Sequence, residues 1–314
     1  MKFGIQCKIF PDLSIEENLK RIKEAGYNGV EWTWSVLGGP SGPVSTKDMK
    51  KIKKIAKEIK KLSKDFSLES ISITPGFLPN FAEEPDILRI HFEGIVESGT
   101  KFVRCFPPCY VGILKPRNKF EEYYNGKKDF HTISNDFKKH LNVFNKLAGE
   151  YKIKILFETH DGYFPASFSG FYLFLKEYPP ENLGIVLDPE NMVREGIENW
   201  RLGIEMLFPY IGYVHFKNMG WFFESEWKKE GKSPPLHMKN WYVKRMGLED
   251  GIVDWGQVIY FLKKYGFDGF LVDEDFSKER PEERFENIKY LKKLIEEDKD
   301  PWGKWFNWLE KEGK

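Results

Sequence analysis

One phrase recurs along this chain and limits what it can fold into: an amphipathic segment, a glycine-bearing turn, then a short apolar run. "EAGYNGVEW" (24–32) and "KYGFDGFLVDE" (264–274) are near copies of it. The apolar runs are "FGIQC" (3–7), "GVEWTW" (29–34), "SISI" (70–73), "FVRCF" (102–106), "IKILFE" (153–158), "GIVLD" (184–188), "YVHF" (213–216) and "GFLVDE" (269–274). Several are apolar at successive positions rather than alternate ones. A strand covered on both faces reads that way, as in a parallel sheet. Between the runs lie segments with apolar residues at three-and-four spacing, such as 46–66, 85–99, 133–151, 254–266 and 280–297. The segment 14–26 opens with a capping box, Ser14 with Glu17, and stops at Gly26. About eight such units in series predict an α/β fold, a (β/α)8 TIM barrel, with an open doubly wound sheet as the alternative.

No composition break divides the chain, so residues 1–314 are expected to form a single TIM-barrel domain. That length exceeds the ~250 residues typical of such a barrel. The excess falls in connections 107–131 and 217–253 and in a C-terminal extension, 298–314. Both connections follow strands, which puts them on the catalytic face as a lid or substrate wall. In the extension, Trp302, Trp305 and Trp308 share one side of a short helix, for packing on the barrel or for a contact between subunits of a homo-oligomer.

A net charge of +1, from 49 basic and 48 acidic residues, gives no attraction to nucleic acid or to an anionic membrane. No run approaches the ~18 apolar residues of a membrane span. "MKFGIQCKIF" (1–10) reads as a strand rather than an export signal. Three cysteines, Cys7, Cys105 and Cys109, make no disulfide framework, and Cys105 with Cys109 reads as a reduced pair. A cytoplasmic protein is expected. Lys and Glu dominate the charged residues and Gln occurs only at Gln6 and Gln257, a bias of hyperthermophiles.

In a barrel, polar residues at strand ends face the active site. The last four apolar runs carry Glu158, Asp188, His215 and Glu274 at or next to their C-terminal ends. Singly, each has an ordinary explanation: Asp188 before Pro189 caps a turn, His215 bonds within the core, and each glutamate pairs with a lysine. Together they put three carboxylates and one imidazole at one end of a barrel. The carboxylates repel one another unless a divalent cation joins them.

The segments "FETH" (157–160), "GIVLDPENM" (184–192), "YVHFKN" (213–218), "LEDGIVDW" (248–255) and "YGFDGFLVDEDFS" (265–277) occur in an order that resembles the xylose isomerase-like TIM barrels. That family includes sugar isomerases and epimerases, related dehydratases and the endonuclease IV repair enzymes. The resemblance covers nearly the whole chain. It implies that Glu158, Asp188, His215 and Glu274 are ligands of one divalent metal ion. Three oxygen donors and one nitrogen donor suit Mn²⁺ or Mg²⁺, with Co²⁺ or Zn²⁺ as alternatives.

Departures from the family narrow the expectation. The chain has six histidines, and Asn191 stands where many relatives carry one; Thr74 and Phe106, at the ends of the third and fourth strands, offer no imidazole. The trinuclear zinc site of the nucleases is therefore expected to be absent. Ketose 3-epimerases place an arginine shortly after the strand-seven histidine, and this chain has Met219, Gly220 and Trp221 there.

The activity implied is isomerisation or epimerisation of a sugar or sugar-like polyol through an enediolate, with Glu158 and Glu274 as the acid–base pair. Loss of a β-hydroxyl from a keto-inositol or similar keto-polyol is the alternative, and a repair nuclease is a further one. His160 and Lys217 lie two residues past Glu158 and His215, so they point the same way. Both, with Asn191, Trp34 and Arg104, are candidates for substrate binding. Arg104 and Glu31 are also expected to form a buried ion pair beneath the site. Trp32 and Trp221 are further stacking candidates. Lys228, Lys229, Lys232, Lys239 and Arg245 read as a charged, solvated face or as partners of a phosphate.

Overall fold

The recurring phrase folds as helix, turn and strand in the computed structural model, which describes residues 1–38, 48–75, 82–108, 129–196, 198–223, 241–275, 281–297 and 299–301. Helix α1 (Ile15–Glu24) shows the reciprocal Ser14–Glu17 capping box. Past it, Gly26 takes φ +92°, and Gly266, its counterpart in the second copy of the phrase, takes φ +84°. An L side chain is strained there, and glycine is not.

Eight parallel strands close into a barrel: β1 (Lys2–Gln6), β2 (Gly29–Thr33), β3 (Glu69–Thr74), β4 (Phe102–Cys105), β5 (Lys154–Glu158), β6 (Leu183–Leu187), β7 (Ile211–Phe216) and β10 (Phe270–Asp273). Neighbours follow chain order around the barrel, and β10 pairs with β1 to close it. Helices α2 (Met49–Asp65), α3 (Pro85–Ser98), α4 (Phe130–Tyr151), α5 (Phe168–Leu175), α6 (Pro189–Glu195), α7 (Trp200–Leu207), α8 (Trp255–Lys264) and α9 (Asn287–Glu297) complete the ring with α1. This is the (β/α)8 architecture the periodicity predicts.

The buried side chains form two concentric cores. The larger lies between strands and helices, and Ile155, Phe157, Ile185, Leu187, Val214 and Leu271 belong to it. The smaller fills the barrel itself: Ile71, Leu156, Val186, Tyr213, Phe270 and Val272. Neighbouring residues along one strand thus enter different cores, which is why the strands read as continuous apolar runs. The inner core is tight at its base. A Cβ at Gly212 would sit 2.4 Å from Leu156 Cδ1, and one at Gly4 would sit 2.2 Å from Ile71 Cδ1.

The seventh connection, expected as a long catalytic-face loop, has regular structure of its own. It contains an antiparallel hairpin, β8 (Asn218–Phe223) with β9 (Trp241–Met246). Its base is tied by Asn218, whose side-chain amide donates to Leu248 and Val253 carbonyls and whose Oδ1 accepts from Val253 N. Most of 107–131, the three tryptophans of the C-terminal extension, Lys228, Lys229, Lys232 and Lys239 of the seventh connection, and Cys109 lie outside the described residues. Cys7 and Cys105 are buried, free thiols. Among the described residues no helix is long and apolar enough to cross a membrane.

Candidate metal centre

Strand geometry assembles the site. Side chains two apart along a strand share a face. Leu156, Val186, Tyr213 and Val272 point into the barrel, so Glu158, Asp188, His215 and Glu274, each two residues further on, point the same way near its C-terminal mouth. One ligand atom from each lies within 4.8 Å of the others, and all four residues are buried. Asp188 also caps α6, accepting from Asn191 N, while Pro189 opens the helix. The cap that the sequence permits and the convergence on the cluster are both present.

At the centre is His215. Its Nδ1 lies 3.4 Å from Glu158 Oε1, 3.6 Å from Asp188 Oδ2 and 3.3 Å from Glu274 Oε2. It is buried and makes no hydrogen bond. An imidazole nitrogen without a partner, facing three carboxylates, fits coordination to a cation. The charge balance agrees. Glu31, Glu158, Asp188 and Glu274 face the cations Arg104 and Lys217. Burial works against charge on the imidazole, but Glu274 and Glu31 raise its pKa well above the ordinary value; a divalent ion would supply that positive charge and leave the ring neutral.

Arg104 lies under the cluster. Its Nε and Nη2 donate to Glu158 Oε2 at 3.0 and 2.6 Å, and Nη2 also reaches Glu274 Oε1 at 3.0 Å. Its Nη1 is 3.6 Å from Glu31 Oε2, the ion pair expected from the sequence. With its donors directed at carboxylates, it holds the two glutamates rather than presenting itself to a substrate. Lys217 enters from the mouth, 2.7 Å from Asp188 Oδ2 and 2.6 Å from Glu274 Oε2. Asn191 Nδ2 donates to Asp188 Oδ2 at 2.8 Å.

These neighbours set the protonation of the site. Burial works to raise the Glu158 carboxyl, but the Arg104 guanidinium outweighs it and holds the pKa at about 2. Burial opposes ionisation of Glu274 too, and Lys217, His215 and Arg104 bring it well below the usual range. Burial works against charge on Lys217, yet Asp188 and Glu274 raise its pKa above the ordinary lysine value.

His160 stands at the rim with an aromatic wall. Phe106 stacks on Tyr163 with centroids 5.3 Å apart, and the His160 ring meets both edge-on. Trp34 is a correction to the sequence reading. Glu31 of β2 points into the barrel, so the two-residue period turns Trp32 and Trp34 outward together, and Trp34 opens a 3-10 turn (Trp34–Leu37) just past the strand. The indole is buried in the outer core and donates from Nε1 to His91 Nδ1 at 3.0 Å.

Two participants were not singled out for the site from sequence, and a third, Glu31, was expected there only as the partner of Arg104. Gln6 Nε2 donates to Glu274 Oε1 at 3.3 Å. Glu190, in the first turn of α6, is buried 4.0 Å from Lys217 Nζ and pairs with Arg194. Glu31 contacts His215 across the barrel. Glu31 carried a signal, as the lone charge inside an apolar strand.

Fold and cluster define a class: α/β barrels that gather carboxylates and a histidine at the C-terminal ends of their strands. Within it, the chain belongs to the xylose isomerase-like TIM barrel family, whose model matches residues 19–294. Among solved structures, mannonate dehydratase from Streptococcus suis serotype 2 is similar at TM-score 0.69 and 14% identity, over 95% of each chain. The 3-keto-D-glucoside 4-epimerase of E. coli is similar at TM-score 0.65 and 17% identity, over 93% of this chain and 99% of that one. A xylose isomerase-like TIM barrel protein from Mycobacterium smegmatis, in complex with magnesium, gives 0.61 and 13%, over 95% and 97%. At these identities the likeness is one of fold. No protein of curated function matches the chain.

Proposed function

We propose that this protein is a divalent-metal-dependent isomerase or epimerase of a sugar or sugar-like polyol. One observation carries the reading: His215 Nδ1, buried and without a hydrogen bond, faces oxygens of Glu158, Asp188 and Glu274 at 3.3–3.6 Å. Those four residues would hold one ion, Mn²⁺ or Mg²⁺ by their donor set, with Co²⁺ or Zn²⁺ as alternatives. When bound, the ion supplies positive charge to the substrate oxygens that turn negative as a proton leaves the carbon between them.

The chain's own groups do the rest. Glu158 and Glu274 are ionised at neutral pH, so either can accept the proton. Arg104 touches both and fixes their separation. The partner carboxylate, once it has taken up a proton from solvent, returns that proton to the substrate, and the first carboxyl gives its own back to solvent. Delivery to the opposite face of the same carbon inverts it, and delivery to the neighbouring carbon isomerises the sugar. Lys217 and His160 would orient hydroxyls from the mouth, and Asn191 fixes the Asp188 carboxylate. The aromatic wall of Phe106 and Tyr163 offers an apolar face for a sugar ring.

Loss of a β-hydroxyl is the second reading, supported by the similarity to mannonate dehydratase. A panel of ketoses and keto-polyols with Mn²⁺ separates the two, because dehydration creates an absorbing enone or diketone and isomerisation does not. Turnover on the panel with Glu158→Gln and Glu274→Gln each inactive is the expected result. Full activity in either variant would sink the acid–base assignment.

A further inference from the structure

A polar layer lies between the hydrocarbon that fills the barrel and the candidate ligands, and Glu31 of β2 is its hub. The carboxylate is buried, and each oxygen has a separate duty. Oε1 accepts from the Tyr213 hydroxyl and, at 2.9 Å, from Ser72 Oγ. Ser72 Oγ and Tyr213 OH are themselves 3.0 Å apart, so the three groups brace one another. Oε2 lies 3.0 Å from His215 Nε2 and 3.6 Å from Arg104 Nη1.

β2 and β7 are not neighbours; β1 and β10 stand between them. The contact therefore crosses the barrel interior and is no by-product of strand pairing. A local irregularity delivers it. Val30 pairs with Ser70 but Glu31 with Ser72, so β3 carries one extra residue at that point. The slip brings Ser72 to Glu31, while Ile71 fills the core below.

The imidazole has two nitrogens with unlike surroundings. Nε2 has an acceptor, the Glu31 carboxylate. Nδ1 has no hydrogen bond and faces the three other carboxylates. A carboxylate that accepts Nε2–H leaves the lone pair on Nδ1 and fixes the plane of the ring. Tyr213 and Ser72, by holding the other oxygen, keep the carboxylate from turning away.

We infer that Glu31 is a positioning residue for the metal centre: by accepting Nε2–H it presents His215 Nδ1, and not Nε2, to the ion. This rests on the metal reading above but assigns a residue and an atom that the four-ligand set does not.

The test uses the intact chain and two readouts that need no turnover. Calorimetric titration with Mn²⁺ should show affinity weakened about 10–100-fold in Glu31→Gln, the usual scale for losing a partner of a ligating histidine. Tyr213→Phe removes one of the two hydrogen bonds to Oε1, but Ser72 still holds that oxygen and the contact with the ring remains, so its affinity should stay within about threefold of wild type. A merely structural role for Glu31 predicts that the two variants fall together, and that outcome overturns the inference. ¹⁵N NMR of the Mg²⁺-loaded wild-type protein should show His215 protonated at Nε2 and unprotonated at Nδ1. The reverse pattern overturns the inference even if Glu31→Gln fails to fold. Absence of Mn²⁺ binding by the wild-type chain is a different result and removes the metal reading itself.

Discussion

Leu156, Val186 and Val272 fill the lower half of the barrel interior with hydrocarbon, and two residues on, Glu158, Asp188 and Glu274 fill the upper half with charge. The same strands build both halves under the same two-residue period. The lower half is closed by shape: glycines at positions 4 and 212 leave room for Ile71 and Leu156 and nothing more. The upper half is closed by charge, and its carboxylates depend on Arg104, Lys217 and His215. A cavity below costs packing. A missing charge above leaves its partners buried and uncompensated, and removes the chemistry.

The largest expected effect lies in the upper half. Glu158→Gln or Glu274→Gln should cut turnover by roughly 10²–10⁴-fold through loss of proton transfer, measured as initial rate on whichever substrate the panel identifies. Folding should survive, because an amide of the same shape stays in place. Next is Arg104→Met, which strands two carboxylates. It should destabilise the metal-free protein by about 3–5 kcal/mol in denaturant unfolding. Its rise in melting temperature on adding Mn²⁺ should exceed that of wild type, since a cation then replaces the lost one.

Leu156→Ala probes the lower half. It should cost about 2–5 kcal/mol and leave the Mn²⁺-induced rise in melting temperature unchanged. A larger rise, like that of Arg104→Met, would erase the distinction between the halves.

The smallest effect lies outside both. His91 is buried beside Trp34, and burial lowers its pKa from 6.5 to about 4. The neutral ring accepts from Trp34 Nε1 through Nδ1, and protonation there removes that bond. The unfolded chain binds a proton below pH 6.5 that the folded chain refuses. Stability is therefore full above pH 6.5 and is lost as pH falls toward 4, by at most ~1.4 kcal/mol per pH unit. His91→Gln should flatten unfolding free energy against pH in that window; an unchanged slope would contradict the burial argument.

The barrel was legible because its strands are short, apolar on both faces and bounded by glycine turns that need positive φ, as at Gly26 and Gly266. The convergence of the four candidate ligands was legible for a related reason: each is an ionisable group at the end of a buried run, and the period carries its side chain inward. Trp34 shows the period applied to the wrong face: Glu31 takes the inward position on β2, so Trp32 and Trp34 both turn outward. The β8–β9 hairpin was missed because seventeen residues separate its strands, and no local pattern states their register. The contact of Glu31 with His215 depends on which strands face each other across the closed barrel. Asp273 shows the converse. One residue before Glu274, it points away from the site and is buried against Arg284 and Tyr27, closing the wall between α9 and the barrel.

The central claim is that the upper half of the barrel is a single-metal site. The most direct measurement is elemental analysis of the purified chain after dialysis against Mn²⁺, with Asp188→Asn in parallel. The account predicts one ion per wild-type chain and a large loss in the variant. No bound ion in the wild-type protein, or three ions per chain, would contradict it.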